Sequence, residues 1–238
     1  MKRKILYGIL MATFAVSVFG CSKESEINNS EKKVVTTDDK SDGKQTDSAN
    51  EEEIVEELLS KYVDVEAYED AGGKIADNQL DEVIDGIVIS GQTLQLGMSY
   101  DEVIAAGFEP IDDTFKDTET NALAYTCDFK DSNNKIVEFG FIGEQGKHVA
   151  EGVLYSVRVV NSDDAASYMI EGINENTQIE GILDGLGDPV GFGNPAYSEY
   201  TDVGLEYACK DASVYLTFYV DLETGEIITM TFEGYAED

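Results

Sequence analysis

A five-residue pattern occurs twice in this chain, about eighty residues apart: Leu123-Ala124-Tyr125-Thr126-Cys127 and Leu205-Glu206-Tyr207-Ala208-Cys209. Leu, Tyr and Cys recur at the same spacing, and in both copies they alternate with smaller or polar residues, the period of a half-buried strand. The surroundings repeat as well. Ahead of the first copy, Ser99-Tyr100-Asp101-Glu102 has the form of a capping box, and Val103, Ile104 and Phe108 follow on a short helix, about 100–106, that Pro110 cannot continue. Ahead of the second, Gly172-Ile173-Asn174 leads into Ile182, Leu183 and Leu186 on a short helix closed by Gly187-Asp188-Pro189. After the first copy come a turn at Asp131-Ser132-Asn133-Asn134, a strand carrying Val137, Phe139 and Phe141, and a strand carrying Val153, Tyr155, Val157 and Val159. After the second come Val214, Leu216, Phe218 and Val220, a turn at Glu223-Thr224-Gly225-Glu226, and a last strand carrying Ile228, Met230 and Phe232. The expected fold class is therefore α+β. It consists of two repeats, 86–160 and 168–235, each a short helix plus an antiparallel three- to four-stranded meander, with sheets that join or pack against each other.

Upstream of the repeats, Gly86 to Leu96 holds two short apolar runs split by Ser90-Gly91 and reads as a small hairpin. Ile54, Leu58 and Tyr62 recur at every fourth position with Val55 and Leu59 beside them. This predicts an amphipathic helix over about 52–68, within an N-terminal segment 51–85. Residues 21–50 are Ser, Asn, Asp, Thr, Lys and Glu with few large apolar residues, so they cannot bury enough surface to offset their ordering entropy. They read as a disordered tether that, as a flexible coil, would extend roughly 30 Å.

The first twenty residues read as a secretory signal: Lys2, Arg3 and Lys4, then an apolar run to Phe19, then Gly20. The run is shorter than the roughly twenty residues a spanning helix needs. Val18-Phe19-Gly20-Cys21 resembles the lipobox of bacterial lipoproteins, which implies signal removal at 1–20 and a diacylated, palmitate-type anchor on Cys21; the competing reading is a cysteine that happens to end an ordinary signal peptide. The resemblance places the protein on the cell membrane, lipid-anchored and facing outside the cytoplasm. Cleavage would leave 13 Lys+Arg against 49 Asp+Glu, a formal charge of −36. Nucleic acid is excluded as a partner by this charge, because phosphate binding needs basic residues that release counterions.

The helix ending in Leu186, Gly187 and Pro189, followed by strands with Tyr207 and Phe218, the turn at Gly225 and a strand with Ile227, resembles the SmpA/OmlA type of lipoprotein domain. A looser copy lies in Met98, Ser99, Val103, Pro110, Tyr125 and Phe139, with Gly107-Phe108 where Leu-Gly would be expected. In tandem the two resemble beta-lactamase inhibitor protein and its relatives. The resemblance covers about residues 86–235, and it implies protein–protein contact in the cell envelope and no catalysis.

The chemistry of the chain agrees with a non-enzyme. His148, the one histidine, lies in a Gly- and Lys-containing loop with no serine elbow or thiol close in sequence, so a Cys-His pair would have to be built by the fold. No C-x-x-C spacing supports zinc or thiol redox chemistry. Asp131-Ser132-Asn133 and Asp221-Leu222-Glu223-Thr224-Gly225 begin like calcium loops but lack the distal ligands, and hairpin turns use the same residues. No cofactor or metal is expected. Cys127 and Cys209 have one possible pairing in a compartment where disulfides persist. They would bond if the repeats meet along their strands, whereas free cysteine is equally at home on a core face.

On the strand 214–220 the apolar set must face the helix, which sends Tyr215, Thr217 and Tyr219 to the other side. Cross-strand packing with Ile227 and Thr229 is one role for the rings; the other is an aromatic contact surface. The function expected is thus a lipid-anchored extracytoplasmic module that binds another protein or envelope component, with Tyr215 and Tyr219 as contact residues. The alternative is a lipoprotein that binds or senses a small molecule or peptide between the repeats.

Overall fold

The computed structural model describes residues 57–64, 84, 86–120, 125–193, 202–208 and 214–234, all within one compact unit, Thr46–Asp238. The signal, the tether, Cys21 and Cys209 lie outside the described residues. In chain order the elements are β1 (Ile87–Ile89), β2 (Gln92–Leu94), α1 (Tyr100–Ala105), β3 (Glu109–Pro110), β4 (Tyr125–Lys130), β5 (Ile136–Ile142), β6 (Val153–Val160), β7 (Tyr168–Ile170), β8 (Ile173–Asn174), α2 (Ile179–Leu186), β9 (Gly191–Gly193), β10 (Asp202–Ala208), β11 (Val214–Asp221) and β12 (Ile227–Gly234). The fold is mixed helix and sheet. Its strands pair antiparallel in two sheets, one of four strands in the order β2-β1-β7-β8 and one of eight in the order β3-β4-β5-β6-β12-β11-β10-β9.

The local chemistry explains the boundaries. Ser99 caps α1: its hydroxyl accepts from the Glu102 amide, and the Glu102 carboxylate accepts from the Ser99 amide at 2.7 Å, so two amides with no helical partner are satisfied. Gly107, at φ 97°, lets the chain reverse just beyond the helix. The hairpin β1-β2 turns on Ser90-Gly91, and a second hairpin, β7-β8, turns on Glu171-Gly172; all four residues have positive φ, as tight two-residue hairpins require.

The alternation along β4, β5, β6, β10, β11 and β12 puts an apolar set on one face of the large sheet. Phe129, Phe139, Phe141, Val157, Phe218 and Phe232 are fully buried there in one core with Tyr100, Val103, Ile179 and Ile182 from the two helices. The Tyr100 ring lies 5.4 Å from that of Phe141, and the Tyr207 hydroxyl donates to the Gly187 carbonyl at the end of α2 at 3.0 Å.

Two expectations change. The last strand was expected to bury Ile228, but a register shift between Tyr219 and Val220 of β11 places Ile227 opposite Val220 in the core and leaves Ile228 half-buried. Of the helix expected over 52–68, the described part is helical at 57–59 and a turn at 60–62, with one more helical bond from the Val63 amide to the Leu59 carbonyl. Bonds from Lys61 and Tyr62 back to Leu58 and Leu59 tighten the chain there, while the Ser60 hydroxyl takes the Glu57 carbonyl. Leu59 and Val63 still reach the core, and the Tyr62 hydroxyl donates to the Leu222 carbonyl. The halves of the large sheet meet along β6 and β12.

Candidate functional site

The face of the large sheet turned away from the helices carries a different population. Reading the register across the strands, one row runs Asp128, Glu138, Arg158, Thr231, Thr217, Glu206, Gly191, and the next runs Thr126, Gly140, Ser156, Glu233, Tyr215, Ala208. A third holds Thr229, Tyr219, Gly204 and Gly193. The surface is thus glycine, serine and threonine interrupted by two tyrosines and several carboxylates, with Tyr155 of β6 alongside.

Tyr215 and Tyr219 stand on this face as the alternation predicts, and both are half-buried. Of their two expected cross-strand neighbours, Thr229 is in place opposite Tyr219 and Ile227 is not on this face. Tyr215 lies between Glu233 and Ala208, and Tyr219 between Thr229 and Gly204, while Ile227 is on the core side. Thr217 and Thr229 are shaded, at 9 % and 0 % exposure. Thr217 lies between the two rings on β11, and Thr229 stands directly opposite Tyr219.

The residues that sequence reasoning passed over are the carboxylates. Glu206, opposite Thr217 and Gly191, is half-buried, and burial raises its carboxyl above the usual range. Glu233, opposite Tyr215 and Ser156, is raised by burial first and by the charge of Glu206 second. Burial also raises the Tyr155 hydroxyl, with the Glu233 charge adding to it; Glu233 itself stands opposite Tyr215 on one side and Ser156, next to Tyr155, on the other. Glu138 is raised by burial too, but the guanidinium of Arg158 opposes that shift from 3.8 Å. No cation among the described residues pairs with Glu206 or Glu233. The signal available in the sequence was the alternation, which places Glu206 and Glu233 on the face of Tyr215.

No family model, no curated protein and no solved structure matches this chain.

The other candidates resolve as structural groups. Asp131 Oδ1 accepts from the amides of Asn133 and Lys135, and Asp221 Oδ1 from those of Glu223 and Thr224, so both supposed calcium-loop starts close hairpin turns. His148 is exposed, with Nδ1 2.9 Å from the Asp117 carbonyl oxygen. Among the described residues no group of three or more His, Cys, Asp or Glu could hold a metal ion. Cys127 is a free, half-buried thiol whose Sγ contacts the Asp128 carbonyl at 3.3 Å. Cys209, the other member of the possible pair, lies outside the described residues.

A second concavity lies at the small sheet, a cleft of about 610 Å³ lined by Ser90, Asp131, Asn133, Lys135, Asn161, Ser162, Ala165, Ala166, Ser167 and Glu175. Lys135 is held in place there by donating to the Asp163 carbonyl at 2.5 Å.

Proposed function

We propose that this chain is a lipoprotein anchored through Cys21 outside the cytoplasm, whose two helix-and-meander repeats present the outer sheet face to another protein. The observation that carries the reading is the division of the large sheet. One face is an apolar core under both helices, and the other bears Tyr155, Tyr215 and Tyr219 among short side chains. Large rings kept at a part-exposed sheet surface are favoured contact anchors, because they bury much area while fixing few torsions.

The strand order supports the duplication. From the seam outward the large sheet reads β6-β5-β4-β3 on one side and β12-β11-β10-β9 on the other, and the small sheet reads β1-β2 and β7-β8. Each half thus contributes a two-residue-turn hairpin, a helix, a short edge strand and a meander in the same order. That is the organisation on which the resemblance to tandem SmpA/OmlA-type and beta-lactamase-inhibitor-like proteins rests, and it carries no catalytic requirement.

The test is capture in living cells. A photoreactive phenylalanine analogue replacing Tyr219 should cross-link one defined protein, and the same group replacing the exposed Ile111 should not. Capture from both positions alike, or from neither, contradicts the assignment. The ligand-binding alternative draws on the cleft between Ser90, Asp131 and Glu175. Native mass determination of the purified protein would reveal a retained small molecule, and its loss on Asn161→Ala would favour that reading.

A further inference from the structure

We propose that the Glu206–Glu233 region, flanked by Tyr155 and Tyr215, receives an arginine side chain from a basic partner protein. This deepens the surface reading above and rests on it.

The register fixes the geometry. Glu206 and Glu233 lie on β10 and β12, either side of β11 and on the same face, and Tyr215 of β11 is the direct partner of Glu233. Tyr155 adjoins Ser156, which stands directly opposite Glu233. Both carboxylates are half-buried, and both lack a cation among the described residues, whereas Glu138, farther along the face, has Arg158 at 3.8 Å. A carboxylate withdrawn from water without a counter-charge is unfavourable in the free protein. A cation arriving from outside relieves that cost and gains the attraction of both carboxylates. The neighbouring rings choose between the cations: a planar guanidinium can stack on tyrosine while donating in-plane to a carboxylate, and an ammonium cannot do both as well. The excess of acids over bases, 49 against 13 once the signal is removed, steers a basic partner toward the molecule from a distance.

The experiment uses the detergent-solubilised mature protein and two probes, hexa-arginine and hexa-lysine peptides, titrated calorimetrically at physiological ionic strength. Hexa-arginine should bind more tightly than hexa-lysine. The double variant Glu206→Gln, Glu233→Gln should weaken hexa-arginine at least tenfold, while Glu144→Gln, Glu223→Gln, which removes the same charge from exposed positions, should change it less than twofold. Equal weakening by the two double variants, or equal binding of the two peptides, overturns the proposal by reducing it to net charge. The glutamine variants keep side-chain volume and remove a desolvated charge, so their melting temperatures should not fall. The photoreactive group at Tyr219 is then placed in both double variants. Capture that survives Glu206→Gln, Glu233→Gln unchanged sinks the arginine site and leaves the surface reading standing; no capture even without the glutamine changes sinks both.

Discussion

Val157 of β6 and Phe232 of β12 stand directly opposite each other at the middle of the large sheet, and both are fully buried. They belong to the seam through which the two halves share one hydrogen-bonded ladder and one core. Phe232→Ala removes a ring from that seam and should destabilise the protein by about 3–5 kcal/mol. Because the core is shared, urea unfolding followed by far-ultraviolet circular dichroism and by tyrosine fluorescence should give coincident transitions. Two separated transitions would mean that the halves fold independently.

The thiols give a second expectation. Burial pushes the Cys127 thiol up, the effect of nearby acids adding to it and backbone hydrogen bonds opposing it. The native protein should therefore react slowly with iodoacetamide at this position. After denaturation without reductant, two thiols should be titrated, those of Cys127 and Cys209. Finding none would contradict the free thiol at Cys127 and show the bridge.

Stability should depend on pH in a specific sense. Glu138, Glu206 and Glu233 are raised by burial. A group raised in the folded state contributes stability that is present below its unfolded value and lost as pH rises through the folded value. The melting temperature should accordingly increase as pH is lowered from neutrality toward the ordinary carboxylate range. Glu206→Gln, Glu233→Gln should flatten this slope and raise the melting temperature at neutral pH. Asp131 has the opposite sign. Burial would raise it, but hydrogen bonds from Ser90, Lys135 and Asn133 outweigh that and lower it, so its contribution is lost as pH falls through the lowered value, and stability should turn down again in acid.

Anchoring is tested at Cys21. Cys21→Ser should abolish acylation and leave the precursor uncleaved at this site or release the protein into the medium, as followed by fractionation and mass determination. A processed, acylated, membrane-bound variant would contradict the lipoprotein reading.

Much of this architecture was legible locally. The Ser99–Glu102 box, the Ser90-Gly91 hairpin and the alternation of Phe139, Phe141, Leu216 and Phe218 are short-range signals, and each has its own stereochemical cause. The hairpin β7-β8 was not found, because strands of three and two residues are too short to show a period. The edge strands β3 and β9 were hidden by Pro110 and by Gly191 and Gly193, residues that ordinarily argue against a strand and are tolerated at an edge. The face was legible in part: alternation placed Tyr215 and Tyr219, but nothing local in the sequence singles out Glu206 and Glu233 among the many acids. Their proximity depends on β11 lying between β10 and β12, a matter of strand order that no local pattern encodes.

The central claim is that the outer face carrying Tyr215 and Tyr219 is a contact surface. The most direct measurement is in-cell capture by the double variant Tyr215→Ala, Tyr219→Ala, using a photoreactive group at Thr231 on the same face, together with its melting temperature. Truncating either ring should weaken partner binding by at least about 1 kcal/mol, and the double variant should lose most of the captured protein while melting within a few degrees of the parent. Undiminished capture by a folded double variant would contradict the account by moving contact elsewhere, and a large drop in melting temperature would contradict it by assigning both rings to the core.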